Sequence, residues 1–332
     1  MSRSHYLRLL LPLCLQSVSF PAVAEWHSNS ELSSYYTDHV GLFSVSRRLA
    51  LEDDPTQPVI DEPEQASDFV YEPRTELAYT GSNGLGEFKL GIDAAAYVFQ
   101  QWSKYTHGFY ELQFKQAVSE ATEFKFFYEY VPDLYLGTKR AFHDSIEDFE
   151  ADEVVDSHIW SMHIDHQFND ELTFRSLTRF GLRNYNPAFE YRYHHFYTVG
   201  LHAEWRPNET IEILVGHHYE HGYADGKQTE SFYDDVSYIN HYSSVELKLH
   251  LLPKWLLVLT GDYEHNHLLS DYVADIHYQG RENVFQGEIE LQYEWSHQTL
   301  LKAGWESGYR KFNFENPYVR NNNIWLGLEY RF

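Results

Sequence analysis

Five polar residues at alternate positions of one C-terminal segment form the densest set of chemically active groups in this chain. They are Gln286, Glu288, Glu290, Gln292 and Glu294. In a β-strand, residues two apart point to the same face, so these five share a face if the segment is extended. Carboxylates are costly to bury without partners. The row therefore predicts a surface that faces water or basic side chains.

Basic residues occupy comparable positions in other alternating segments. They are Lys89, Lys115, Lys125, Arg175, Arg179, Lys302 and Arg310. If the segments enclose a common interior, these residues and the acidic row would line a channel whose opposed charges orient and select small solutes. The alternative is an interior filled by interlocked ion pairs, which would conduct little. Both interpretations stay open, and together the two groups are the candidate pore-lining residues.

Histidines are the other residues that could do chemistry. His194, His195, His217, His218 and His221 lie near the ends of predicted strands. On a strand, His217 and His221 point to one face and His218 to the other. A metal site needs three or four convergent ligands, and the spacing holds no two of these histidines together. We therefore expect no metal site, and a position beside nearby tyrosines at a strand end.

The sequence offers no recognisable catalytic motif. It contains no nucleophile elbow, no phosphate-binding loop and no zinc-binding helix motif. Asp262, Glu264 and His265 form only a loose cluster, and serine and histidine are too abundant to be diagnostic. We therefore predict no catalytic residue and no cofactor, with a lipid hydrolase or a protease as the minor alternative.

These side chains need a framework, and period-two alternation supplies one. From residue 74 to residue 332 the alternation predicts thirteen β-strands. Bacterial β-barrels have an even number of strands, so a further strand is placed at Tyr35 to Arg48, through the stretch Val40 to Val45. Fourteen strands result. If Glu25 to Glu72 forms a plug or a tail instead, the prediction falls to twelve.

The connections between the predicted strands favour a closed barrel over a β-sandwich. Short connections near 119–121 and 252–254 alternate with long ones, such as those near 132–154 and 266–282. A barrel with tight turns at one end and loops at the other has this arrangement, whereas a sandwich has no reason to sort its loops. Mean hydropathy is −0.53 and no second long apolar run exists, which excludes helical membrane spans. The predicted fold is an all-β, transmembrane, antiparallel up-and-down barrel.

The two ends of the chain carry export signals. Arg3 and Arg8, an apolar stretch and the small residues Ala22 to Ala24 predict a cleaved signal peptide at residues 1–24. Cleavage would remove Cys14, the only cysteine. Residues 25–332 are then expected to form a single domain.

At the other end, Leu328, Tyr330 and Phe332 alternate up to the final residue. This pattern resembles the closing strand of Gram-negative outer-membrane β-barrels, and the alternation as a whole resembles their porin-like members. The resemblance implies a location in the outer membrane and recognition by the barrel-insertion machinery. It also implies contact with outer-membrane lipid and lipopolysaccharide.

The charge of the chain is strongly acidic, with 25 basic and 50 acidic residues and a net charge of −25. Nucleic acid is therefore excluded as a partner, because its binding requires a basic surface. Residues at about 49–73 contain eight acids, no base and several prolines, and they predict an external loop. Such a loop would attract cations, or it would hydrate the outer face and bind divalent ions that bridge lipopolysaccharide.

The function that these observations predict is passive passage of small hydrophilic solutes, with a cation bias as the finer hypothesis. Lysines and arginines that face the acidic row would set the selectivity. An export or assembly barrel for a polymer or a partner protein is the main alternative. The sequence names neither the solute nor the oligomeric state.

Overall fold

Fourteen alternating segments become strands that pair with their neighbours in sequence, and the first strand pairs with the last. We describe a computed structural model, which places residues 25–46, 58–61, 63–143, 146–228, 234–313 and 318–332. The strands are β1 (Glu25–Thr37), β2 (Asp68–Asn83), β3 (Gly86–Phe99), β4 (His107–Ser119), β5 (Thr122–His143), β6 (Ile146–Gln167), β7 (Leu172–Tyr185), β8 (His194–Asn208), β9 (Ile211–Ala224), β10 (Tyr238–Leu252), β11 (Trp255–Leu268), β12 (Arg281–Ser296), β13 (Thr299–Phe312) and β14 (Val319–Arg331). The predicted antiparallel barrel of fourteen strands is confirmed.

The predicted location of the first strand is wrong, although the strand count is right. The first strand is β1, which contains only the first three residues of the predicted segment Tyr35 to Arg48, and half of that segment forms a helix, α1 (Val40–Ser46). Serines at both faces of β1 conceal its alternation in the sequence. Val40 and Phe43 are three residues apart and both are buried, as the helical period requires for one face.

The helix α1 lies against inward-facing side chains of the barrel wall. The ring of Phe43 packs 5.3 Å from Tyr35 and 5.6 Å from Phe99, measured between centroids. Gly41 permits close passage of residues 63–66, because a Cβ atom there would lie 2.7 Å from the backbone nitrogen of Glu64. The helix therefore occupies the barrel interior at the end where long loops connect the strands, here called the loop end.

The external loop predicted at about 49–73 ends earlier than expected. Its residues from Asp68 onward belong to the barrel wall, because β2 begins there. Residues 47–57 and 62 of this region lie outside the described residues, as does the predicted signal peptide at 1–24. The strands β5 and β6 each contain 22 residues, and they project beyond their neighbours at the loop end. Among the described residues, no helix is long and apolar enough to cross a membrane.

The outer face of the wall is apolar and the inner face is polar. Leu90 and Ile92 are exposed outside, whereas Asp93 on the same strand is buried inside. Aromatic rings lie at two levels of the outer face, such as Tyr263 with Phe285 at 4.8 Å and Trp255 with Tyr293 at 4.5 Å between centroids. These levels are about 26 Å apart along β11. Two aromatic levels that bracket an apolar band are typical of membrane-spanning barrels.

Candidate functional site

Every candidate pore-lining residue occupies an inward position of its strand, and the basic ones in the first half of the barrel form a row that only β6 interrupts. Lys89, Lys115 and Lys125 are cross-strand neighbours on β3, β4 and β5. Arg175 and Arg179 continue the row on β7. We call these five residues the basic row.

Carboxylates neutralise much of the basic row. Lys89 Nζ contacts Glu76 Oε1, and Lys125 Nζ lies 2.8 Å from Asp165 Oδ2. Arg175 donates two hydrogen bonds to the same Asp165, at 2.8 and 2.9 Å. Each of these pairs joins adjacent strands. Three of the five basic side chains are therefore paired with a carboxylate on an adjacent strand.

The predicted acidic row lies on the opposite part of the wall. Gln286, Glu288, Glu290, Gln292 and Glu294 all point inward from β12, and all but Gln286 are partly exposed to the interior. Among the described residues, Glu290 accepts hydrogen bonds from the Gln292 amide at 2.7 Å and the Trp325 indole at 3.0 Å. Both donors are neutral. Glu290 therefore presents an uncompensated carboxylate, unlike Asp165.

More acidic residues share this side than the sequence analysis had identified. Strands β9 to β12 contain nine acidic residues and two basic ones, and all nine acids point inward. Asp262 accepts from the Tyr242 hydroxyl at 2.7 Å, and Asn266 donates to Glu264 at 3.1 Å. Alternation alone could have revealed that Asp262 and Glu264 point inward, because they alternate with Tyr263, which lies on the outer face of β11. We call the inward acids of β9 to β12 the acidic wall.

The loose cluster of Asp262, Glu264 and His265 does not form. His265 points to the outer face, where its Nδ1 lies 3.0 Å from Asn283 Oδ1, whereas the two acids point inward. The histidines at 217 and 218 also separate as predicted: His217 is outside beside Ser243. His218 is buried inside, with its Nε2 2.6 Å from His202 Nε2.

Lys302 and Arg310 on β13 are engaged by acids rather than open to the interior. Lys302 Nζ lies 2.8 Å from Glu31 and 2.9 Å from Glu329. Arg310 Nε lies 3.1 Å from Glu282, and the same guanidinium donates to the carbonyl oxygen of Ile60. These contacts tie β13 to β1, β14 and β12, and they also reach a segment that enters the barrel.

That segment, residues 58–61, crosses the loop end of the interior, and we call it the strap. Val59 packs on one side against Tyr238, Leu268 and Phe312. Ile60 packs on the other side in a cluster that includes Val131, Leu136, Val155 and Phe189. Because the two clusters belong to opposite parts of the wall, the strap bridges the mouth of the barrel. Together, the strap and α1 fill much of the loop end.

A buried ionic network holds the strap at its last residue. Asp61 Oδ2 lies 3.0 Å from Arg192, and Asp61 Oδ1 lies 3.0 Å from His277 Nε2. Arg192 also contacts Glu153 and Asp234, each at 2.9 Å. The Nδ1 atom of His277 lies 2.9 Å from Asp275 and 3.2 Å from Asp234. The sequence analysis missed this network because its members come from five distant parts of the chain.

The charges of the network set its protonation. Burial opposes ionisation of Asp61, but His277 and Arg192 outweigh it and hold the pKa of Asp61 well below its usual value. Burial also opposes protonation of His277, but Asp61, Asp234 and Asp275 outweigh it and raise the pKa of His277 well above its usual value. At neutral pH the imidazolium therefore donates hydrogen bonds from both ring nitrogens.

The opposite end of the interior, where short turns connect the strands, is more open. We call it the turn end. A cavity of about 580 Å³ is lined there by residues that include Lys89, Lys115 and Glu123. Its polar lining includes two members of the basic row. The interior therefore narrows from an accessible polar recess to a packed loop end.

Comparison with known proteins gives a fold but no sequence family. No family model matches the chain, and no curated protein matches it in sequence. The outer membrane channel DcaP of Acinetobacter baumannii is similar over 94% of this chain and 97% of its own, with 10% identity and a TM-score of 0.52. A bacterial polysaccharide outer membrane secretin covers 91% of this chain and 98% of its own, with 10% identity and a TM-score of 0.49. An anion-selective porin from Comamonas acidovorans covers 94% of this chain and 100% of its own, with 8% identity and a TM-score of 0.45.

At this level of identity, the likeness to DcaP establishes the architecture and nothing finer. The chain has the porin-like outer-membrane β-barrel fold, as the sequence pattern predicted. What passes through the barrel has to be argued from its own residues.

Proposed function

We propose that this protein is an outer-membrane channel that passes small hydrophilic solutes and favours cations. The observation that carries the proposal is the unequal treatment of charge on the two sides of the interior. Asp165 and Glu123 together neutralise Lys125 and Arg175 of the basic row, whereas Glu290 on the acidic side is bonded by neutral donors. An interior in which positive charge is paired and a carboxylate such as Glu290 is not attracts cations.

The same proposal includes the location. The signature residues Leu328 and Tyr330 lie on the outer face of β14, and Phe332 is exposed beyond it. The Phe332 amide donates to the carbonyl oxygen of Ser28 at 3.0 Å, so the last residue extends the pairing of the closing strand. An aromatic side chain at this position is accessible to the barrel-insertion machinery. Membrane lipid and lipopolysaccharide are the surroundings that the apolar outer face requires.

Planar-bilayer recording with purified protein tests the channel and its selectivity separately. We expect discrete conductance steps and, in a KCl gradient, a reversal potential that indicates preference for K⁺. Glu288→Gln combined with Glu290→Gln should move the reversal potential toward zero, because it removes two interior negative charges.

The matched control is Glu120→Gln combined with Glu209→Gln, which removes two charges from exposed turns and should leave the selectivity unchanged. Absence of conductance across many insertions would overturn the channel. Equal reversal potentials for the two double variants would overturn the assignment of selectivity to the acidic wall.

A further inference from the structure

Three potential metal ligands converge in the buried network at the loop end. Asp234, Asp275 and His277 come from two connections between strands, and one atom of each lies within 4.8 Å of the others. The Nδ1 atom of His277 is 2.9 Å from Asp275 Oδ1 and 3.2 Å from Asp234 Oδ1. All three residues are buried. The connections place these side chains together although neither carries a metal-binding motif.

The spacing of these atoms suits a small tetrahedral ion. Zn²⁺ binds nitrogen and oxygen ligands at about 2.0–2.2 Å, which places neighbouring ligands about 3.3–3.6 Å apart. The two separations from His277 Nδ1, 2.9 and 3.2 Å, need to grow by only a few tenths of an ångström to reach that range. Ca²⁺ requires six to eight oxygen ligands, whereas an imidazole with two carboxylates is typical of Zn²⁺ and related transition ions.

The surroundings already orient the three ligands. The second ring nitrogen of His277, Nε2, donates to Asp61 Oδ1 at 3.0 Å. A metal-binding histidine usually donates its other ring N–H to a carboxylate in this way. Arg192 Nε donates to Asp234 Oδ2 at 2.9 Å. The backbone amide of Asp235 donates to Asp275 Oδ2 at 2.8 Å. In each ligand residue, the atom that makes this hydrogen bond is therefore not the atom that would bind the metal ion.

A second observation comes from Asp235, which is fully buried beside Asp234. Its Oδ2 atom has no hydrogen-bond partner among the described residues. An unpaired buried carboxylate oxygen is costly. Asp61, Asp234 and Asp275 contact Arg192 or His277. Once His277 gives up a proton to bind a metal ion, these three carboxylates exceed the single charge of Arg192 by two, which a dication would offset.

We propose that Asp234, Asp275 and His277 form a binding site for a divalent transition metal ion of the Zn²⁺ type. Binding displaces the proton from His277 Nδ1, which passes to solvent, and leaves the Nε2 hydrogen bond to Asp61 in place. The ion joins the residues just before β10 to the connection between β11 and β12. Through His277 it also secures the strap. This site is separate from the acidic wall, so it does not depend on the proposed channel selectivity.

Zn²⁺ titration of the EDTA-treated, detergent-folded barrel by calorimetry tests the site. We expect one ion per barrel. His277→Gln and Asp275→Asn should each weaken binding at least 100-fold. Asp61→Asn, which removes the negative charge beside His277 Nε2 and Arg192 but none of the three ligands, should weaken binding by about 10- to 100-fold. Co²⁺ should give the intense visible absorption of a tetrahedral site in the wild-type protein and lose it in His277→Gln.

The chain offers matched controls for adventitious histidine binding. His297→Gln changes an exposed histidine at a turn, and His217→Gln with His241→Gln changes two neighbouring histidines on the outer face. These variants should bind Zn²⁺ as the wild type does. Circular dichroism confirms that each variant is folded, and Asp61→Asn keeps the test decisive if His277→Gln does not fold. Loss of binding in the outer-face variant, or unchanged affinity in both His277→Gln and Asp61→Asn, would overturn the proposal.

Discussion

The two ends of the barrel interior use charge in different ways. At the loop end, ions are fully buried and join residues far apart in the chain, as Asp61 does with Arg192 and His277. Toward the turn end, ion pairs join neighbouring strands and keep contact with water, as Lys89 and Glu76 do with 30% of each side chain exposed. Buried charges fix the position of a segment because no alternative partner is available to them. Partly hydrated charges are weakly held and are free to interact with a passing solute.

The contrast assigns different tasks to the two ends. Loop-end charges hold the strap and α1 across the mouth, so their loss should change stability and local order. Turn-end and mid-barrel charges face the interior solution, so their loss should change selectivity with little effect on stability.

Removing Arg192 should produce the largest loss of stability. Arg192→Met leaves Asp61, Glu153 and Asp234 without the guanidinium that joins them. Breaking a buried ionic network in this way costs about 3–5 kcal/mol. Urea unfolding of the detergent-folded protein, followed by tryptophan fluorescence, measures the change.

The control for this variant is Arg206→Met, which removes an exposed arginine paired with Glu212 at the turn end. That change should cost less than about 1 kcal/mol. Equal losses in the two variants would mean that burial does not distinguish the two ends.

Acid should weaken the loop end through His39, which lies between β1 and α1. Burial and, to a smaller extent, the charge of Arg310 lower the pKa of His39 to about 4, although nearby Asp38 opposes the shift. The unfolded chain therefore takes up a proton between about pH 6.5 and pH 4 that the folded protein does not. The contribution of neutral His39 to the free energy of unfolding is therefore fully present above pH 6.5. It is lost as the pH falls through this window, by up to about 3 kcal/mol.

Urea midpoints at pH 7, 5.5 and 4 measure this effect, with His39→Gln as the test variant. The variant should lose that part of the acid sensitivity, because it removes the titrating group. His250→Gln, at an exposed position of the turn end, should retain it. If wild type and His39→Gln respond identically to acid, the role of His39 is refuted.

The smallest effect on stability and a clear effect on selectivity are expected from Lys89→Met. Lys89 is partly exposed and pairs with Glu76, so its loss should cost less than about 1 kcal/mol. The unpaired Glu76 adds negative charge to the interior, and the reversal potential should move further toward cation preference. Bilayer recording beside urea unfolding measures both quantities. A large loss of stability with unchanged selectivity would mean that Lys89, like Arg192, stabilises the fold and does not set the selectivity.

Much of the fold could be predicted from the sequence because strand faces are local. Two adjacent residues on one strand must point to opposite sides, so the inward positions of Lys89, Arg175 and Glu290 followed from alternation. The same rule placed His217 and His218 on opposite faces. It failed for β1, whose small polar residues lie on both faces, and the apolar stretch after it was mistaken for the strand.

The candidate site was harder to predict, because alternation along a strand shows that a side chain points inward but not which side chain it contacts. Glu290 and Lys125 were both predicted to face inward, but nothing local indicated that Lys125 meets Asp165 while Glu290 meets Trp325. The compensation of charge depends on cross-strand register, and register depends on the whole closed sheet.

The sequence by itself determined an alternating chain with apolar outward faces and an acidic row facing inward, because a two-residue period is a property of short segments. The even-number rule for barrels then favoured fourteen strands over thirteen. Only the tertiary structure decided that Asp61 leaves the solvent and binds Arg192 and His277, 131 and 216 residues away. Acidic residues beside prolines favour water in the unfolded chain. Burial becomes favourable only where closure of the barrel brings together charges of opposite sign.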